Sequence, residues 1–159
     1  EKLQKPYMSV AAAYFYERAE MRAQAGKFRE SVMDYNTFFD AVGGDVTALF
    51  FFQREQAEMQ CRMYQHALND INKAVEMAPE DADFWVEKGT VHLRFNQLDD
   101  AIAAFNKALS LNDKYAAAYR LLGYCQAIKK KNKEACANFA KAKELGDELV
   151  DTLIEKYCK

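Results

Sequence analysis

The chain is poor in the residues that break helices, in charge of one sign and in catalytic side chains. Of 159 residues, two are proline, six glycine, one tryptophan and two histidine. With half of the residues hydrophobic, so little proline excludes a disordered or low-complexity chain. Basic and acidic residues nearly balance, 22 against 24, for a net charge of −2. That balance argues against a general nucleic-acid binder or a membrane-surface module. No apolar run approaches the roughly 18 residues of a membrane helix. No signal peptide is visible. The first residue is Glu1 rather than Met, so the expectation is a fragment or processed form whose compartment its ends do not reveal.

Chemistry is equally sparse. His66 and His92 stand far apart, and no Ser–His–acid set, glycine-rich phosphate loop or metal-spaced Cys/His cluster occurs. No enzyme, cofactor or metal site is therefore expected. His92 reads as a packing residue between helices. Cys61, Cys125, Cys136 and Cys158 include no C-x-x-C pair and read as small buried thiols. Cys125 and Cys136 flank one turn at level positions. A disulfide between them is the alternative, although helical phase points each away from the crossing. The run Lys129-Lys130-Lys131 with Lys133 reads as a solvated turn, because no aromatic platform for a nucleic acid accompanies it.

What the chain does contain is a repeated phrase. INKAVEMAPEDADFWVEKGT at 71–90 returns as FNKALSLNDKYAAAYRLLGY at 105–124, a shift of 34 residues. At that shift Tyr119 aligns with Trp85 and Phe51, Gly123 with Gly89, Ala135 with Ala101 and Ala67, Phe139 with Phe105 and Ile71, and Ala142 with Ala108 and Ala74. An upstream copy is two residues longer, with the excess at Val42-Gly43-Gly44. The repeats are then 12–47, 48–81, 82–115 and 116–149.

Each repeat holds two helical patterns. In the third, Phe84 to Phe95 is apolar at helical spacing and Asn96 ends it. Leu98, Ala101, Ile102, Phe105, Ala108 and Leu109 then form one broad stripe. Small residues at Gly89, Ala101 and Ala108 let paired helices approach, and Phe105 fills the space between them. Short turns make neighbouring helices antiparallel. Pro79 ends the helix before repeat three, Asn112-Asp113 caps the next junction, and Gly146-Asp147 opens a last helix over about 147–157. That capping helix carries Leu149, Leu153, Ile154 and Tyr157 on one face and Glu148, Asp151, Glu155 and Lys159 on the other. A polar outer face, like Lys143 replacing an apolar residue, suits the end of a stack. The sequence therefore predicts an all-α, right-handed α-solenoid of four antiparallel helix–turn–helix repeats with a C-terminal capping helix, in one domain over 1–159.

These residues resemble the tetratricopeptide repeat, a 34-residue helix–turn–helix with an aromatic, a small residue or Gly, then Ala, an aromatic and Ala at set places. Trp85, Gly89, Ala101, Phe105 and Ala108 carry the likeness best, and it extends over about 12–149. Glu55 and Phe38 depart from it, at a small-residue place and an alanine place. Independently of the family, Arg18 and Asp34 occupy the same places in repeat one as Arg54 and Asp70 in repeat two. The places hold Lys88 and Ala104, then Leu122 and Asn138, in the later repeats. An interhelical Arg–Asp pair is expected in repeats one and two, the alternative being coincident surface charges.

The aromatic residues Phe15, Phe51, Trp85, Tyr119, Tyr35, Phe105 and Phe139 read as core. The other side of each first helix is left for a concave face. Repeat spacing gives it Tyr16, Glu17, Glu20 and Gln24, then Phe52, Gln53, Gln56 and Met59. Asp83, Val86, Glu87, Thr90 and Arg94 follow, then Arg120, Leu121, Tyr124 and Ile128. Apolar groups with flanking acids suit an extended or helical peptide. Some relatives of the family clamp the carboxylate end of chaperone tails with cations. The matching places here, Tyr16, Glu20, Gln53, Asp83 and Glu87, hold no cation. The expected partner is thus a protein or a basic or neutral peptide, not an acidic chaperone tail, a nucleic acid or a membrane. A second reading is a structural segment that dimerises through repeat edges, with residues 1–11 a severed junction and Pro6 placed to open a helix.

Overall fold

The computed structural model describes residues 10–158, which form helices joined by short turns. The expectations for Pro6 and Lys159 lie outside the described residues. The chain divides into two compact units, Glu1–Met77 and Ala78–Lys159.

The first unit contains α1 (Val10–Gln24), α2 (Phe28–Ala41), α3 (Ala48–Gln60) and α4 (Tyr64–Met77). Helices α1 and α2 pair, as do α3 and α4. The buried residues include Ala19, Val32 and Tyr35 in the first pair, and Phe50, Phe51, Ala67, Ile71 and Ala74 in the second. The Ser31 hydroxyl donates to the Ala19 carbonyl at 2.8 Å, which satisfies a buried hydroxyl at the closest approach of α1 and α2. The extra residues at Val42-Gly43-Gly44 form the turn to α3, with both glycines at positive φ. Thr47 caps α3 by accepting from the Phe50 N–H.

The second unit contains α5 (Ala82–Arg94), α6 (Leu98–Leu111), α7 (Ala116–Ile128), α8 (Asn132–Glu144), a 3₁₀ turn (Glu148–Val150) and α9 (Asp151–Tyr157). Helix α5 pairs with α6, α6 with α7, α7 with α8, and α8 with α9. Two buried clusters hold it together. One joins Val86, Ala101, Phe105, Ala108, Ala118, Leu122 and Cys125. The other joins Ala127, Ala135, Phe139, Ala142 and Val150, with Leu153, Ile154 and Tyr157 against it. The role predicted for glycine is visible in distances. A Cβ on Gly89 would stand 2.5 Å from the Phe105 ring, and one on Gly123 would stand 2.7 Å from the Phe139 ring.

All four first helices close in one way. The N–H groups of Lys27, Met63, Gln97 and Lys131 donate back to the carbonyls of Arg22, Glu58, His92 and Gln126 at 2.8 to 3.0 Å. The residue before each has positive φ: Gly26, Arg62, Asn96 and Lys130. This is the Schellman closure. It turns the chain back within each repeat even where glycine is missing.

Three expectations change. Phe50, Phe84 and Ala118 are the fully buried residues at the start of their helices. Trp85 and Tyr119 are half-buried, and the Trp85 Nε1–H donates to the Pro79 carbonyl at 2.8 Å. The capping helix starts with a 3₁₀ turn, whose tighter winding puts Val150 into the core and leaves Leu149 70% exposed. The cysteines are not all thiols. Cys136 on α8 is bonded to Cys158 just past α9, while Cys125 is a free, fully buried thiol and Cys61 a free, half-buried one. Cys125 points into the α5–α7 core, as its helical phase required, and is out of reach of Cys136.

Candidate functional site

In the first unit the predicted inner-face residues bind one another. The Tyr16 hydroxyl donates to Gln53 Oε1, and Gln53 Nε2 donates to Glu20 Oε1 at 2.6 Å. The Tyr16 ring packs edge-on to Tyr35 and tilted against Phe38. Burial and the Glu20 charge raise the Tyr16 pKa. This network ties α1 to α3 across repeats. Further along α3, Phe52 and Met59 are half-buried and Gln56 is exposed.

The Arg–Asp pairs are present in both predicted repeats. Arg18 and Asp34 form a two-bond fork at 2.8 and 2.6 Å, and Arg22 adds a third bond to Asp34 at 2.6 Å. The Arg18 guanidinium holds the Asp34 carboxyl below the usual carboxylate range. Arg54 and Asp70 form the same fork, deeper, at 2.6 and 2.8 Å. The Arg54 guanidinium also lies over the rings of Phe39, Phe50 and Phe51. These cations are held in the helix pairs and are not presented for a ligand. Beside Arg54 and Asp70 lies Glu58, 3% exposed, with one carboxyl oxygen unbonded among the described residues. Burial and then Asp70 push its carboxyl up to about 8.

In the second unit the predicted residues sort into three groups. Val86 is 5% exposed inside the α5–α7 core and offers nothing to a ligand. Its helical position faces α6 and α7 rather than the inner side. Asp83, exposed, and Glu87, half-buried, form an acidic edge. The Tyr115 hydroxyl donates to Asp83 Oδ1 at 2.7 Å, and burial followed by Asp83 raises the Glu87 carboxyl. The third group surrounds a cleft of about 500 Å³. Thr90 and Arg94 reach it from α5, and Arg120, Leu121, Tyr124 and Ile128 from α7. Leu149, Thr152 and Leu153 close it from the 3₁₀ turn and α9.

Repeat spacing did not foresee that last wall, because the capping helix is outside the repeat. Nor did it find the Arg120–Asp147 ion pair, in which Nε donates to Oδ2 at 2.6 Å. Asp147 also accepts from the Leu149 N–H at 3.0 Å, so one carboxylate caps the 3₁₀ turn and fixes Arg120 at the cleft edge. Arg94 has no ion pair among the described residues and is exposed. Lys129 of the basic run is paired with Asp99. Among the described residues no three His, Cys, Asp or Glu side chains gather to hold a metal ion. No described helix is long and apolar enough to cross a membrane.

Paired antiparallel helices, a glycine against an aromatic ring at the crossings of α5 with α6 and of α7 with α8, and an inner cleft define a helical-repeat protein of the solenoid class. The sequence pattern of the tetratricopeptide repeat matches residues 57–115 and 87–148. The chain belongs to the tetratricopeptide-repeat family. It is 30% identical to the protein SGT1 homolog of Bos taurus over 81 residues, which cover 51% of this chain and 24% of that protein. It therefore spans about a quarter of that relative's length. Its fold is like that of YrrB, described as a TPR protein with an unusual peptide-binding site. There the TM-score is 0.82 at 19% identity, covering 92% of this chain and 75% of that one. It is also like the first TPR of Spaghetti (RPAP3), solved with an HSP90 peptide, at a TM-score of 0.68 and 19% identity, covering 70% and 90%. At such identities these likenesses show the fold alone.

Proposed function

We propose that the protein is a non-enzymatic interaction scaffold that takes a segment of a partner protein on the inner faces of its first helices. The observation that carries this is the cleft of about 500 Å³ between α5, α7 and α9. It is a preformed hollow that mixes apolar side chains with Thr90, Arg94, Asn96, Arg120 and Thr152, the kind of site in which anchor side chains of a peptide are buried beside a few polar contacts. In the first unit, Phe52, Gln56 and Met59 on α3 are contact candidates by repeat spacing, and Tyr16 and Glu20 are engaged with Gln53. The peptides named with YrrB and Spaghetti support a peptide as the ligand class. The places that would clamp a chaperone tail's terminal carboxylate hold Tyr16, Glu20, Gln53, Asp83 and Glu87, which speaks against that ligand.

Pull-downs with the intact chain and with a Phe52→Glu/Tyr124→Glu variant test the reading. Partners held by the first and lost from the second support it. Equal retention by both contradicts it.

A further inference from the structure

The expectation of a basic or neutral peptide rested on acids along the inner face, and in the second unit the acids are not at the cleft. Asp83 is engaged by the Tyr115 hydroxyl, and Glu87 is half-buried beside it. Neither lines the cleft, and no other Asp or Glu does. Its apolar lining includes Leu93, Leu121, Tyr124, Ile128 and Leu153, with Thr90, Asn96 and Thr152 among them, and its only charged side chains are Arg94 and Arg120. Arg120 is neutralised by Asp147 at 2.6 Å. Arg94 is exposed and unpaired among the described residues. One cation without an ion pair among the described residues therefore stands at the rim of a hollow with large apolar side chains. Such a surface selects for a carboxylate next to apolar anchors and against a cation.

We propose that this cleft docks an acidic–apolar segment of a partner protein, with large apolar side chains between α7 and α9 and an Asp or Glu on Arg94. The proposal rests on the peptide-scaffold reading and reverses the charge first expected of the ligand. It differs from a chaperone-tail clamp in needing an internal side-chain carboxylate at Arg94, not a chain terminus. Arg94 acts by attraction at a wet rim, so its removal weakens binding and does not abolish it. Tyr124 acts by burial, and a charge there costs far more.

The test is selection of random 12-residue peptides displayed on phage, with the intact, oxidised chain as bait. A Tyr124→Asp variant, checked for unchanged helicity by circular dichroism, removes binders that do not use the cleft. The expected pool is rich in Leu, Phe or Ile and net acidic. A synthetic peptide from it should bind at least tenfold more weakly to Arg94→Glu, and within about threefold of the parent to Arg94→Lys. A net-basic or neutral pool that still depends on Tyr124 overturns the acidic–apolar proposal while leaving the scaffold reading in place. An unchanged affinity for Arg94→Glu does the same. A pool indifferent to Tyr124→Asp overturns the cleft as a binding site, and with it the reading on which the proposal rests.

Discussion

Single side chains divide this protein into parts that hold and parts that remain available. Gly89 and Gly123 hold, because Phe105 and Phe139 occupy the space a side chain would need. Gly89→Ala gains helix propensity of up to about 1 kcal/mol but forces a methyl to 2.5 Å from a fully buried ring. Overpacking of this kind costs roughly 1–3 kcal/mol, so urea denaturation should show a net loss. An unchanged or raised midpoint would contradict the crossing geometry. Glu58 sets a pH dependence. Its folded pKa is raised from 4.5 to about 8, so the folded form binds the proton more tightly than the unfolded chain. The stabilisation is fully present below the unfolded value and is lost as pH climbs through the folded one. Between about pH 5 and 8 the parent should lose stability of order 3 kcal/mol, and Glu58→Gln should flatten that slope. Parallel slopes would remove Glu58 as the cause. Asp34 works in the opposite sense and in another window. Its carboxyl is depressed by Arg18, so its contribution is present above the unfolded value and is lost as pH falls from there through the folded one. The Arg–Asp pairs were legible from sequence because both partners recur at one spacing. Glu58 was not, because its repeat-equivalent residues, Arg22, His92 and Gln126, carry no warning of a buried acid.

At the scale of elements, the 34-residue period made eight of the helices and their partners legible, since spacing decides which stripe is buried. The C-terminal cap was harder to read because it follows no repeat. Its 3₁₀ start moves Val150 inward and Leu149 outward, a phase change that a continuous helix over 147–157 does not contain. Its bond from Cys158 to Cys136 joins residues 22 apart in sequence, which meet only once α9 folds back on α8. A seven-residue helix is too short to persist alone. Its docking depends on Val150, on the Tyr157 ring stacked with Phe139 and on that bond. Reduction, or Cys136→Ser, should cost about 3 kcal/mol on loop-closure grounds and speed amide exchange in α9 above all other helices. Intact mass should fall by two hydrogens on oxidation. A chain whose mass and melting are indifferent to reductant would contradict the bond. Because α9 and its 3₁₀ start supply Leu149, Thr152 and Leu153 to the cleft, peptide affinity should fall with the same treatment.

For the molecule as a whole, the family and the class of fold follow from one repeated phrase, whereas the site does so only in part. Thr90, Arg94, Arg120, Leu121, Tyr124 and Ile128 were placed by spacing on one inner face, and the cleft gathers them. Val86 was not separable from them by spacing, since one helical step decides between core and inner wall. The acids read onto the inner face are away from the cleft for a related reason. Sequence counts acids on a face but does not show that Asp83 is bonded to Tyr115 or that Glu87 is half-buried away from the cleft. The central claim is that binding occurs on inner helix faces, with the cleft as part of the site. Titrating the isotope-labelled, oxidised chain with a selected peptide and following amide and methyl resonances tests it most directly. The account predicts saturable shifts at Thr90, Arg94, Leu121, Tyr124 and Leu153, with Asn106, Lys133 and Ala140 on α6 and α8 unmoved. Shifts centred on those second helices, with the cleft residues silent, would contradict it.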